Sequence, residues 1–411
     1  MLVNVLKISK GGCMKKILIS SLGLFIGFSG SAQELKLPYY NANPQVADFS
    51  WPCKEKFSNG QPPKIDFPRV LDVRSCDISS WNLTQYTAQE LSDVISFDSR
   101  TKFPPRSKLP KGFSSIQILQ NGKTPGLYVN NLHAQGITGK GVSIAIIDQN
   151  LLLNHIEYAS NVIFYEEDPF WSNGSSASMH GSAVVSIASG QRVGVAPRAH
   201  VFAFAPGFGQ TSDDQYDARP NAAALRRVAE LNTQLPPERK IRVVSISRGF
   251  GKNDLGSKDF EEAKQMLEND GVAVFTTNDV FTLSRNHSLD NVNDVKNYCR
   301  PAYWFEAEDM RFLSADMQAM VVPTDFRVIA SPTGSNDYVH YTNGGLSWAV
   351  PYVAGLYALG VQVYPQLTKE IFVKVAHDTA TTRNCEFKGK KFSLPLVNPT
   401  ALINYLKNLN K

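Results

Sequence analysis

Several features are scarce in this 411-residue sequence, and each scarcity removes a class of function. Charged residues are only 19% of the chain. Four of the 42 Lys and Arg (Lys7, Lys10, Lys15 and Lys16) precede residue 33, where there is no acid, leaving 38 basic against 37 acidic residues. A chain so balanced has no electrostatic footprint for nucleic acid, and no such partner is expected. The five cysteines show no CxxC spacing, so a zinc site is not expected. No EF-hand-like run marks a calcium site. No internal repeat is visible. Hydrophobic residues make up 43%, an ordinary share for a chain that buries a core, which excludes disorder or coiled coil as the main state.

One apolar run stands near the start. Lys15-Lys16 precede Ile17–Phe28, and the small residues Gly30, Ser31 and Ala32 follow. Basic, apolar and small regions in that order make a secretory signal. The run is shorter than the ~20 residues a membrane span needs, and no other run reads as long and apolar enough. The mature chain is therefore expected to have no span, and the protein to be secreted or periplasmic. Met14 begins such a signal by itself, and Lys10-Gly11-Gly12 is what a purine-rich ribosome-binding site would encode. Met14 is thus the expected start, with residues 1–32 a leader and Gln33 first after cleavage. Cys13 goes with the leader. Cys53, Cys76, Cys299 and Cys385 remain, and in an exported protein they permit two disulfides in three pairings. Cys53–Cys76 with Cys299–Cys385 would keep each bridge within one region.

Beyond the leader the texture changes once. Residues 33–125 are rich in Pro, Ser, Asn and Asp with short apolar pieces, and read as an N-terminal extension or a removable pro-region. The short apolar pieces suit packing on a neighbour more than forming a core alone, which favours a fixed extension. Residues 126–411 alternate strand-like runs (142–147, 201–205, 242–246, 272–275) with helical stretches (182–189, 222–235, 259–269). Nearly continuous apolar strands between helices indicate an α/β domain with a mostly parallel sheet and helices on both faces. Residues 279–320 break the pattern and read as an insertion.

Three motifs carry chemistry. Gly139–Asp148 is a turn feeding a buried strand that ends in a carboxylate, the end of an α/β strand where function gathers. Met179-His180-Gly181 opens a small-residue helix, where the helix dipole suits a neutral base. Asn343-Gly-Gly-Leu-Ser347 opens a helix apolar on nearly all sides, whose first amides favour a developing oxyanion. Pro351 is tolerable there if it lies in the first turn. Each motif also has a plain reading: a capping Asp, a helix-terminal His, an N-cap Ser.

Together they are more specific. The order Asp148, His180, Ser347 is one of the known orders of a hydrolytic triad. His180-Gly-Ser-Ala-Val-Val-Ser186 and Gly345-Leu-Ser-Trp-Ala-Val-Pro-Tyr-Val-Ala-Gly355 resemble the His and Ser blocks of the subtilisin-like serine proteases, as do Gly194-Val-Ala-Pro197 and Val243–Gly249. Ile147-Asp-Gln-Asn-Leu-Leu152 and Gly345-Leu-Ser-Trp348 resemble a divergent bacterial branch. The resemblance implies a subtilisin-like three-layer α/β fold and a serine endopeptidase with Asp148, His180 and Ser347 as triad, acting on protein or peptide substrates. No cofactor is expected, and because members of that family often bind calcium the resemblance leaves room for a structural calcium in an irregular loop. It implies a substrate-lining strand at Ser247, Arg248 and Gly249. Arg248 stands where the family has an apolar residue and could favour acidic substrate side chains, or could pair with a local carboxylate. The chain departs from the family at Gln149-Asn150, at Leu346, and in lacking the Gly-Asn that completes the oxyanion hole. Asn278, two residues early, is the candidate donor, on the reasoning that a shift of two along a strand keeps the face. A turn-ending Asn beside Asp279 is the alternative. A subtilisin-fold binding protein without activity is the rival from another class. An esterase is disfavoured, because Gly345-Leu-Ser347 runs on to Trp-Ala and not to x-Gly.

Overall fold

The structure is a computed structural model, and it describes residues 43–50, 53, 70–167, 176–207, 216–285, 295, 298, 319–387 and 389–411. The leader expected at 1–32 and Cys299 lie outside the described residues.

Residues 70–125 contain more structure than their composition suggests. β1 (Leu71–Asp72) runs parallel to β2 (Ile95–Asp98). Helix α1 (Ala88–Val94) starts at a capping box, in which Thr87 Oγ1 accepts the Glu90 N–H at 3.1 Å and the Glu90 carboxylate accepts the Thr87 N–H at 2.7 Å. α2 (Ser115–Asn121) is capped by Ser114. Trp81, Leu83, Leu91, Val94 and Phe97 are at the centre of an apolar cluster of this segment's own. The Cys53–Cys76 disulfide, with Cα atoms 5.5 Å apart, ties the cluster to the chain before it. The expectation that these pieces only pack on a neighbour is therefore corrected. The elements are two to seven residues long, and Val73, Ile78 and Trp81 enter the core from turns, so no period marks them in sequence.

After α3 (Val129–His133) the alternating pattern yields the expected α/β architecture. Strands β3 (Ser143–Ile147), β4 (Val162–Glu167), β5 (His200–Ala205), β6 (Ile241–Ile246) and β7 (Ala273–Phe275) form one sheet in the order β4-β5-β3-β6-β7. All neighbours in it are parallel. β3 and β7 are buried at every residue, so both faces of the sheet are covered. The cover comes from α4 (Met179–Ser189), α5 (Arg219–Gln234), α6 (Ser257–Asn269) and α7 (Leu346–Val363).

The expected insertion begins and ends in sheet: β8 (Val280–Leu283) pairs in parallel with β9 (Met320–Pro323). β10 (Arg327–Ala330) and β11 (Tyr338–Tyr341) then pair antiparallel. β11 also pairs antiparallel with β2, Val339 opposite Asp98 and His340 opposite Phe97. The β1-β2-β11-β10 sheet thus crosses the division expected at residues 125–126. After α8 (Lys369–Asp378), the hairpin β12 (Thr381–Phe387) and β13 (Lys390–Leu396) joins β9, and α9 (Pro399–Leu409) follows. Cys385 is disulfide-bonded.

α7 corrects another expectation. By length and composition it could cross a membrane, yet it is a core helix, buried along most of its length. It approaches α4 closely because residue 355 is glycine: a Cβ there would lie 2.6 Å from Val195 Cβ and 3.1 Å from the Ala188 carbonyl oxygen.

Burial holds the imidazoles of His133, His155 and His200 below their ordinary pKa. His155 has no exposed surface, and its Nε2–H donates to the Asp337 carbonyl at 2.7 Å. In the unfolded chain these groups take up protons near pH 6.5, so below that value the unfolded state binds more protons and stability falls. Thermal melts from about pH 7.5 to about pH 5 should show a declining midpoint, with a shallower decline in His155→Asn. An unchanged slope in the variant would contradict this assignment.

Candidate active site

Asp148 follows β3 at its carboxyl end, and its amide donates to the Phe204 carbonyl of β5 at 3.0 Å. Its carboxylate is only 2% exposed. Oδ1 accepts the Gln149 amide at 2.8 Å and the His180 Nδ1–H at 2.7 Å. That bond sets the tautomer and leaves Nε2 with the lone pair.

His180 is the second residue of α4, and three contacts fix its place. Ser178 caps the helix, its Oγ accepting the His180 amide at 3.0 Å. The Ser178 amide donates to Asn150 Oδ1 at 2.8 Å, and its hydroxyl donates to Gln149 Oε1. Gln149 and Asn150, the residues that depart from the family pattern, therefore clip the start of α4 to the end of β3. Gly181 lets the two approach: a Cβ there would lie 2.2 Å from the Asn150 carbonyl oxygen and 2.3 Å from that of Gln149.

Ser347 is the second residue of α7 and half-buried. Gly344 lies against the Thr324 carbonyl, where a Cβ would come within 2.5 Å. Gly345 is the N-cap and has no side chain to satisfy the first amides. Pro351 is the sixth helical residue, past the first turn expected for it. It lacks the N–H that would bond the Ser347 carbonyl. The Ser247 hydroxyl fills that vacancy, donating to the Ser347 carbonyl at 3.0 Å, while the Ser347 hydroxyl donates to the Ser247 carbonyl at 3.3 Å. The next residue, Trp348, lies with its ring centroid 5.3 Å from that of His180. Asp148 and His180 are thus joined directly, and the start of α7 meets the same imidazole through Trp348.

Ser247, Arg248 and Gly249 continue from β6. The Arg248 guanidinium stacks on Tyr216, 3.3 Å from the ring centroid, with Phe250 at 5.7 Å. Asn278 is not on a strand. β7 stops at Phe275, and Thr276 caps a 3-10 turn, Thr277–Asp279, through a reciprocal bond with Asp279. The strand-period argument for its direction is therefore corrected. Asn278 still neighbours the lining segment: a Cβ on Gly249 would lie 2.8 Å from Asn278 Oδ1 and 2.7 Å from Thr277 Oγ1. The roles of Ser178, Asn150 and Trp348 were missed in sequence. Only the Ser two positions before a helix-opening His carried a readable signal. Among the described residues, no group of three or more His, Cys, Asp or Glu side chains could hold a metal ion.

The Subtilase family model matches residues 139–288, a span that includes Asp148, His180 and Asn278 and ends before Ser347. No curated protein matches the sequence. Similar solved structures include the prenylagaramide maturation protease PagA, 15% identical over 68% of this chain and 99% of that one, with a TM-score of 0.47. The PatG macrocyclase domain is 15% identical over 70% and 97%, with a TM-score of 0.49. A cold adapted subtilisin-like serine proteinase is 16% identical over 63% and 90%, with a TM-score of 0.41.

Gly181→Ala tests the close approach that seats His180. The forced Cβ should cost about 1–3 kcal/mol and lower the urea midpoint. An unchanged midpoint would show that α4 does not depend on this contact.

Proposed function

We propose, taking as premise that residues 139–288 are part of a subtilase-family domain, that the protein is an exported serine endopeptidase using Asp148, His180 and Ser347. The observation that carries the reading is the buried hydrogen bond between Asp148 and His180 at 2.7 Å, with the Ser347 helix starting beside the same imidazole. The Ser347 hydroxyl turns from the Ser247 carbonyl and attacks the carbonyl carbon of the scissile peptide. Its proton passes to His180 Nε2, and Asp148 stabilises the imidazolium. The tetrahedral intermediate collapses, the leaving amine takes that proton, and an acyl-enzyme remains. Water, deprotonated by the same imidazole, then releases the acid.

The Ser347 amide, at the uncapped start of α7, is one oxyanion donor. Asn278 is the second, a role supported by its position against Gly249. The substrate, a protein or peptide, lies extended along residues 245–249 and pairs with their backbone. The groups used in these steps are protein side chains, backbone amides and water. Export is supported by the Lys15-Lys16 signal pattern and by the disulfide-bonded state of Cys53, Cys76 and Cys385.

One observation favours a second reading, a binding protein without activity: the Ser347 hydroxyl is engaged with the Ser247 carbonyl. Turnover of a fluorogenic peptide separates the two. In Ser347→Ala, folding and export should be unchanged and turnover should fall by about 10⁴-fold or more. Near wild-type turnover would remove Ser347 from the mechanism. Asn278→Ala should cut kcat by roughly 10²–10³ while KM barely moves. A kcat within a few-fold of wild type would assign the second donor to Thr276, Thr277, a backbone amide or water.

A further inference from the structure

The segment before residue 126 reaches the candidate site through a continuous line of side chains. Arg74 lies at its start, in the turn after β1. Its guanidinium is locked by Asp72, with Nε–H donating to Oδ1 at 2.9 Å and Nη2–H to Oδ2 at 2.7 Å. It lies over the Tyr341 ring, 5.1 Å from the centroid, and donates through Nη1–H to the Tyr341 hydroxyl. Phe49 covers it at 5.2 Å. The Tyr341 ring is 6.0 Å from that of Trp348, and Trp348 is 5.3 Å from His180 at an interplanar angle of 34°. Tyr341 and Trp348 are both buried.

A second tie runs beside the first. The Thr342 amide donates to Ser96 Oγ of β2 at 3.2 Å, and the two hydroxyls are 3.2 Å apart. Thr342 immediately precedes the Asn343–Gly345 loop that leads into α7. The loop's entry strand, β11, is thus paired to β2 along its backbone and through these side chains.

Asp148 holds one edge of the imidazole through Nδ1, and a hydrogen bond at an edge does not by itself fix the tilt of the ring plane. Trp348 covers the ring. The indole in turn keeps its place through Tyr341, and Tyr341 through Arg74. We infer that Trp348 is a positioning residue for His180, backed by Tyr341 and by Arg74 of the N-terminal segment, so that residues 70–101 are a working part of the site and stay with the active protein. This rests on the triad reading for its kinetic tests, and on packing alone for its spectroscopic one.

The kinetic test uses the full mature chain. Trp348→Leu should lower kcat by roughly 10²-fold, the scale of a small misplacement of a reacting group, with KM changed by less than about threefold. Trp348→Phe, which keeps a ring over His180, should recover most of that loss. Arg74→Met should lower kcat in the same way, by about tenfold, and Lys374→Ala, on an exposed helix face, should change neither constant. Equal kcat in wild type and Trp348→Leu, or a loss not rescued by Phe, would overturn the proposal. The spectroscopic test needs no activity. The NMR resonance of the His180 Hε1 proton, displaced by the indole ring current, should move in Trp348→Leu and in Arg74→Met but not in Lys374→Ala. If Arg74→Met does not fold, Tyr341→Phe, which loses the hydroxyl that Arg74 holds, takes its place. A His180 resonance indifferent to both variants would overturn the proposal. Wild-type protein that turns over no peptide would sink the triad reading and leave this resonance to decide the positioning claim. Finally, the mass of the active protein should place its N-terminus before residue 70. A start beyond residue 101 would refute the inference.

Discussion

The hydrogen bond between Asp148 and His180 is the constraint around which this molecule is arranged. A carboxylate as buried as Asp148 is tolerable only when paired, and nothing among the described residues donates a hydrogen bond to its Oδ2. Its compensation comes from the imidazole and from the Gln149 amide, both on Oδ1. Losing the partner of a buried charge costs about 3–5 kcal/mol, so the placement of α4 against β3 is held for stability. Gly181 permits the approach, and Asn150, Gln149 and Ser178 set its register. Residues that looked like departures from a family pattern therefore serve the part of the site they flank.

The helix carrying Ser347 is fitted to that frame by two unlike devices. Gly355 lets α7 lie against Val195 and α4, which fixes the distance between the helices. Pro351 withholds an amide from the Ser347 carbonyl, and Ser247 of the lining segment supplies the missing donor. A local break in one helix becomes a tie between the nucleophile candidate and the strand expected to hold substrate. The same segment meets the turn carrying Asn278, so three elements converge where the peptide would lie.

Much of this was legible in the sequence where one physical signal dominated. The nearly continuous apolar runs Val142–Ile147 and Val201–Ala205 read as strands buried on both faces, and they supply strands of the parallel sheet. His180-Gly181 read as a helix start, and the glycine has a steric reason. Legibility failed where tertiary contacts decide. Asn278 was assigned a strand direction, but Thr276 and Asp279 close a local turn that ends β7 first. Pro351 seemed to require the first turn because its compensating donor, Ser247, is far away in sequence. The cluster around Trp81 and Phe97 draws on turns and a disulfide, which leave no periodic trace. No pattern of β2 itself announces that it pairs with β11, some 240 residues later.

The most direct measurement is the site of covalent attachment of a fluorophosphonate, mapped by peptide mass spectrometry on the native protein. Such a reagent modifies only a serine that a neighbouring base activates and an oxyanion site supports. A single adduct on Ser347, lost when the protein is unfolded beforehand, is the result expected of the triad described here. An adduct on Ser247, or no adduct on folded protein, would contradict it.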